Sequence, residues 1–194
     1  GNLQSSGSEG DDLVNSIEKI CNAAGQMQKT KTGALIVFER ETQLGEIINT
    51  GTLVDAAVSE SLINNIFYPK SPLHDGAVII RDGRIYAASC ILPLTQSTAF
   101  SSNLGTRHRA AIGMTENSDA VVLIVSEETG IISIAHNGEI KRNYTVDSAI
   151  EIIKEKLVLE NHSNKEGMFK KIFKKLFLNN ENKEDIKEKS DNEN

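Results

Sequence analysis

Ala77-Val-Ile-Ile-Arg-Asp-Gly-Arg-Ile-Tyr-Ala-Ala-Ser-Cys-Ile91 places two apolar-rich runs on either side of Asp82-Gly83. Asp-Gly accepts the left-handed backbone of a two-residue turn, so the stretch predicts a β-hairpin of Ala77 to Ile80 and Arg84 to Ile91. A second hairpin signal, Asn137-Gly138, joins Ile131–Ala135 to Glu139–Arg142, and Ala120–Val125 precedes them as a further strand. Gly33-Ala-Leu-Ile-Val-Phe38 is a short, continuous apolar run suited to a central strand. Between the strands lie helical patterns, which makes the beginning of an α/β fold, and the hairpins imply a mixed or antiparallel sheet.

The helices are read from period and caps. Leu13, Ile17, Ile20, Ala24 and Met27 recur in steps of four and three behind Asp11 and Asp12 as caps. Ser59 to Phe67 carries Leu62, Ile63, Ile66 and Phe67 on one face and stops before Pro69. Thr106 is placed to cap a helix running to Met114, and Thr145 one carrying Val146, Ala149, Ile150, Ile153 and Leu157.

The chain has 194 residues, 39% of them apolar, enough for one domain with tails. A formal charge of -6 argues against a general nucleic-acid binder, which needs a broad basic face to displace counterions. Cys21 and Cys90 lack zinc spacing and read as reduced thiols. No run of about 18 or more apolar residues and no signal peptide occurs, so the chain as it stands reads as soluble. There is no GxGxxG, no Walker pattern and no internal repeat. Residues 1–12 read as an appended, disordered leader, residues 13–160 as the domain, 161–178 as a basic amphipathic helix and 179–194 as a disordered polar tail.

Asp75 falls at the mouth of the first hairpin strand, and Thr106-Arg107-His108-Arg109 opens a helix. A carboxylate takes a proton or holds a metal, while forked guanidinium donors at a helix N-terminus suit phosphate oxygens. Phosphoryl or nucleotidyl transfer follows. Taken alone, Asp75-Gly76 is also an ordinary turn dipeptide, Arg-His-Arg a solvated helix face, and Ser126-Glu127-Glu128 a polar loop. His74 beside Asp75, with Glu127 and Glu128, offers the mixed nitrogen and oxygen set of Mn²⁺ or Mg²⁺ sites. His136 reads as a satisfied strand histidine and His162 as a surface residue.

Leu73-His-Asp-Gly-Ala77, Gly105-Thr-Arg-His-Arg-Ala110 and Ser126-Glu-Glu128, in this order, resemble the diadenylate cyclase (DAC) domain over about Leu13 to Leu159. The resemblance implies the DAC fold, an α/β fold with a central mixed β-sheet flanked by helices, and an enzyme that condenses two ATP molecules into cyclic di-AMP with release of two pyrophosphates, each protomer of a face-to-face homodimer holding one ATP. It implies that Asp75 activates the 3′-hydroxyl, with His74, Asp75 and Glu128 as ligands of Mn²⁺ or Mg²⁺. It further implies that Thr106, Arg107, His108, Arg109, Ser126 and Glu127 hold substrate, mainly its phosphates, that Gly76 and Ala77 line sugar and base, and that Leu92 lies near adenine. Some members stack an aromatic on adenine at the position that is Ile91 here.

The first helix resembles the segment following the membrane anchor in the membrane-bound subclass. That implies the cytoplasmic face of the cell membrane for a longer protein, with a membrane-bound regulator and a phosphoglucosamine mutase as partners. Met168, Phe169, Ile172, Phe173, Leu176 and Phe177 recur in pairs with Lys170, Lys171, Lys174 and Lys175 between them, a basic amphipathic pattern suited either to the domain or to an anionic membrane surface. Two other readings of the motifs are a non-catalytic nucleotide-binding sensor and a phosphohydrolase.

Overall fold

The computed structural model describes residues 6–98 and 104–159. The pattern at residues 168–177, the tail 179–194, His162 and the first five residues lie outside them. Helix α1 spans Ser6–Thr30, followed by β1 (Ala34–Phe38), the single turn α2 (Gly45–Ile48), β2 (Thr52–Ala57) and α3 (Glu60–Phe67). The hairpin β3 (Ala77–Arg81) and β4 (Arg84–Cys90) leads to α4 (Thr106–Glu116). Then come β5 (Val121–Val125), β6 (Ile132–His136), β7 (Glu139–Tyr144) and α5 (Val146–Lys154). The described residues up to Lys154 form one compact unit, and Glu155–Leu159, a π-helical stretch, is the described part of a second.

Seven strands form one mixed sheet in the order β2-β4-β3-β1-β5-β6-β7, with β1 and β3 parallel and the other pairs antiparallel. Every residue of β1 and β5 is buried, as expected for central strands covered on both faces. Alternation along β1 sends Leu35 and Val37 into a core shared with Ala110, Ala111 and Met114 of α4. On the other face α1 packs against α3, α5, β5 and β6. Both hairpin turns form as the dipeptides predict, with positive φ at Asp82, Gly83, Asn137 and Gly138.

Four local expectations change. The first helix begins at Ser6 rather than Leu13, so residues 6–12 are helical and Asp11 and Asp12 lie inside the helix instead of capping it. Gly105, not Thr106, is the N-cap of α4 and makes no side-chain cap bond; Thr106 is the first helical residue. The last helix leaves α geometry at Lys154, before Leu157. The edge strand β2, absent from the sequence reading, is largely exposed and bulged between Leu53 and Ala56, so it lacks the apolar alternation that marks a half-buried strand. Thr145 does cap as expected, accepting from the N–H of Ser148 at 3.1 Å, and Ser59 caps α3 in the same way, accepting from the N–H of Leu62 at 3.1 Å.

Candidate functional site

Because β1 and β3 run parallel while β4 and β5 run against them, two strands start and two end at the same rim of the sheet. Ala34 pairs with Val125 and Ala77 with Cys90, so Gly33, Gly76, Ile91 and Ser126 all emerge there. The N-terminus of α4 lies over this rim and divides it into two cavities that share Thr106 and Arg107.

The first cavity, about 370 Å³, has an apolar wall of Leu35, Cys90, Leu92 and Ala110, with Asp75 and Gly76 also lining it. The second, about 360 Å³, is polar and includes His108, Ser126, Glu127, Glu128 and Arg142. An apolar slot joined to a cationic one suits a ligand with a flat apolar body and an anionic arm. A larger cavity of about 680 Å³ near Tyr68 and Lys70 is lined by no carboxylate, imidazole or guanidinium, and so lacks both a proton acceptor and a forked phosphate donor.

Arg107 is positioned by two neighbours. Its guanidinium lies across Gly33, where a Cβ would come within 2.6 Å of Cζ, and its Nη1 is 2.8 Å from Glu127 Oε2. His108 is 5% exposed, and its buried Nε2 has no hydrogen-bond partner among the described residues. Burial lowers its pKa, the Arg142 and Arg107 charges push the same way, and Glu128 opposes them. The ring is therefore neutral at neutral pH and can offer one N–H to an anion without bringing a full charge. Ser126 Oγ accepts the N–H groups of Glu128 and Thr129 at 3.2 Å each, leaving its own O–H proton to donate. The α4 N-terminus, without a side-chain cap, adds backbone N–H groups.

At the opposite lip, Asp75 has its side chain 86% exposed, with Oδ1 3.4 Å from His74 Nε2. The other imidazole nitrogen, Nδ1, lies 2.7 Å from Ser71 O. A carbonyl only accepts, so Nδ1 carries a proton, and in that neutral tautomer the Nε2 lone pair lies on the Asp75 side. A carboxylate oxygen and an imidazole lone pair side by side are donors for a divalent cation, and the chemistry of this pair fits one. Glu128 lies on the polar cavity, and among the described residues no three His, Cys, Asp or Glu side chains gather closely enough to hold a metal.

Gly76 has φ +92°, and a Cβ there would sit 2.7 Å from Cys90 O, so β4 itself requires glycine at this lip. Ala77 is fully buried beside it and lines neither cavity, while Leu92 closes the apolar wall. Arg109 also lines neither cavity: its Nη2 donates to Thr95 O at 3.3 Å while its own carbonyl accepts from Thr95 N–H at 3.1 Å, fastening the chain after β4 along α4. Arg142 and Gly33 were missed from sequence. Arg142 lies next to Lys141 on an edge strand and reads as solvated charge, and the need for glycine at residue 33 exists only once α4 is folded over it.

The sequence model of the DAC family, described as DisA bacterial checkpoint controller nucleotide-binding, matches residues 21–140. The cyclic di-AMP synthase CdaA of Bacillus subtilis is 48% identical over 137 residues, 71% of this chain and 50% of that protein. A diadenylate cyclase of Listeria monocytogenes is 44% identical over 146 residues, 75% of this chain and 52% of that protein. The chain thus spans about half the length of these curated relatives. A crystal structure of a doubly cysteine-substituted DacA from Staphylococcus aureus superposes with a TM-score of 0.72 at 44% identity, covering 76% of this chain and 97% of that one.

Proposed function

Because the chain belongs to the DAC family, we propose that it is a diadenylate cyclase, joining two ATP molecules into cyclic di-AMP and releasing two pyrophosphates. The observation that carries this reading is Asp75, a carboxylate turned outward on the lip of an apolar cavity that shares Thr106 and Arg107 with a cationic one. A module that only bound a polyphosphate would gain nothing from an exposed negative charge so near its anion site.

In this reading the adenosine of one ATP occupies the apolar cavity and its phosphates the polar one. Arg107, His108, Ser126 and the α4 N-terminus hold the phosphates and stabilise charge as the α-phosphate is attacked. Asp75 accepts the proton of the 3′-hydroxyl; the new bond forms between that oxygen and the α-phosphorus of the facing nucleotide, and the bond to the β-phosphate oxygen breaks. Each chain supplies one nucleotide and one carboxylate, so a face-to-face homodimer is needed to close the ring. His74 and Asp75 would hold Mn²⁺ or Mg²⁺, with ATP phosphate oxygens as further ligands, while Glu128, on the other cavity, is not gathered with them. Such an ion supplies Lewis-acid polarisation of the phosphoryl group and lowers the pKa of a nearby hydroxyl.

Among the described residues no helix is long and apolar enough to cross a membrane. Placement at the cytoplasmic face of a membrane, with a membrane-bound regulator and a phosphoglucosamine mutase as partners, rests on the resemblance of α1 to the membrane-anchored subclass. Binding of residues 168–177 to an anionic surface rests on their basic amphipathic pattern. Co-sedimentation with anionic vesicles tests that binding, and deletion of residues 167–178 should abolish it. Mass-resolved chromatography after incubation with ATP and Mn²⁺, then Mg²⁺, tests the enzyme: cyclic di-AMP supports it, AMP or ADP makes the chain a hydrolase, and bound but unchanged ATP makes it a sensor.

A further inference from the structure

The polar cavity contains two guanidinium groups, and they are not equivalent. Arg107 is committed at Nη1 to Glu127 across 2.8 Å, whereas Arg142 has neither a hydrogen bond nor an ion pair among the described residues. Strand alternation puts Arg142 on the same side of β7 as Ile140, which packs on the α4-side core, and that brings it toward His108 rather than to the opposite face. Its charge is close enough to His108 to help keep that buried imidazole neutral.

We propose that Arg142 grips the terminal phosphates of ATP, the part that leaves as pyrophosphate. An unpaired arginine beside the buried, unpartnered His108 Nε2 and the Ser126 hydroxyl completes an anion seat whose other cation, Arg107, is partly neutralised by Glu127. The free fork fits two oxygens of one phosphate, and the division of labour follows from the two cavities. Arg107, on their shared wall, serves the phosphate next to the ribose; Arg142, on the polar cavity alone, serves the phosphates beyond it. This rests on the ATP-binding reading above and assigns the far end of the same site.

The test is calorimetric binding of α,β-methylene-ATP, which resists cleavage at the bond the reaction breaks, beside AMP, to wild type, Arg142→Ala, Arg142→Lys and the strand neighbour Lys141→Ala, which lines neither cavity. Arg142→Ala should lose about tenfold or more in affinity for the triphosphate while AMP affinity stays within about twofold, Arg142→Lys should fall between, and Lys141→Ala should match wild type. Equal losses for both ligands would show a merely structural role, and an unchanged triphosphate affinity would show no role; either overturns the proposal, as does a wild type that does not prefer triphosphate to AMP. The cyclase reading fails separately, through absence of cyclic di-AMP from wild type with ATP.

Discussion

A Cβ on residue 33 would lie 2.6 Å from Arg107 Cζ and 2.7 Å from its Nη1, so Gly33 is the surface on which the guanidinium rests. The obstructing atoms are the far end of a flexible side chain, and Arg107 can yield where a backbone could not. Gly33→Ala should therefore cost less than about 1 kcal/mol of stability. Loss of a charge-assisted contact to phosphate should lower kcat/KM for ATP roughly tenfold to hundredfold. Thermal melting and steady-state kinetics on the same preparation check both halves, and an unaltered kcat/KM would remove Arg107 from the phosphate site.

Gly76 is the contrasting case. Its φ of +92° and the 2.7 Å from a Cβ to Cys90 O involve backbone on both sides, so nothing can move cheaply. Gly76→Ala should destabilise by about 2 kcal/mol or more and lower the melting midpoint, whereas Gly33→Ala leaves it nearly unchanged. Similar midpoints for the two variants would contradict this assignment.

Asp75 is 86% exposed, so Asp75→Asn should fold as wild type and bind ATP, yet lose about a hundredfold or more of its activity. Since ring closure needs an attack from each side, mixing the variant into wild type should depress activity below simple dilution. Specific activity of wild type should also rise with enzyme concentration wherever the dimer is partly dissociated. Dilution behaviour alone in the mixing series would imply that one chain suffices.

Stability should fall on acidification in two stages. Burial raises the Asp119 carboxyl, but the N–H groups of Thr42 and Glu41, at 3.0 and 3.1 Å, more than offset it and leave the pKa below the ordinary 3.8. Glu39 is likewise raised by burial and brought below 4.5 chiefly by its hydrogen bonds from Arg81 and Leu44. The folded protein then binds fewer protons than the unfolded chain, so these contributions are present above those values and are lost as pH falls through the folded pKa. His108, lowered from 6.5 first by burial, has the same sign, since the unfolded imidazole takes up its proton sooner. The melting midpoint should be level near neutrality, begin to decline below about 6.5 and drop again below about 4.5, with a shallower final drop in Asp119→Asn. A midpoint rising toward acid would reverse the sign of the argument.

The sheet was legible because its turns and central strands follow local rules: Asp82-Gly83 and Asn137-Gly138 take the turn they encode, and Ala34–Phe38 has no polar residue to place outward. Edge strand β2 escaped because residues with no face to bury leave no pattern. At the site, the sequence motifs converge on one rim, where Asp75 and Gly76 line a cavity with Thr106 and Arg107, and His108 lines one with Ser126, Glu127 and Glu128. It did not separate Arg107, which faces the cavities, from Arg109, which fastens the Thr95 segment, because two arginines a short step apart on one helix turn look alike until a neighbouring chain segment takes one of them. Arg142 comes from another strand altogether, and only sheet order carries it to His108.

The most direct measurement is phosphorus NMR of a single reaction containing the chain, ATP and Mn²⁺, repeated with Asp75→Asn. Two pyrophosphates released for each cyclic di-AMP formed, with neither product from the variant, is the predicted result; orthophosphate with ADP, or pyrophosphate with AMP and no cyclic dinucleotide, would contradict the account.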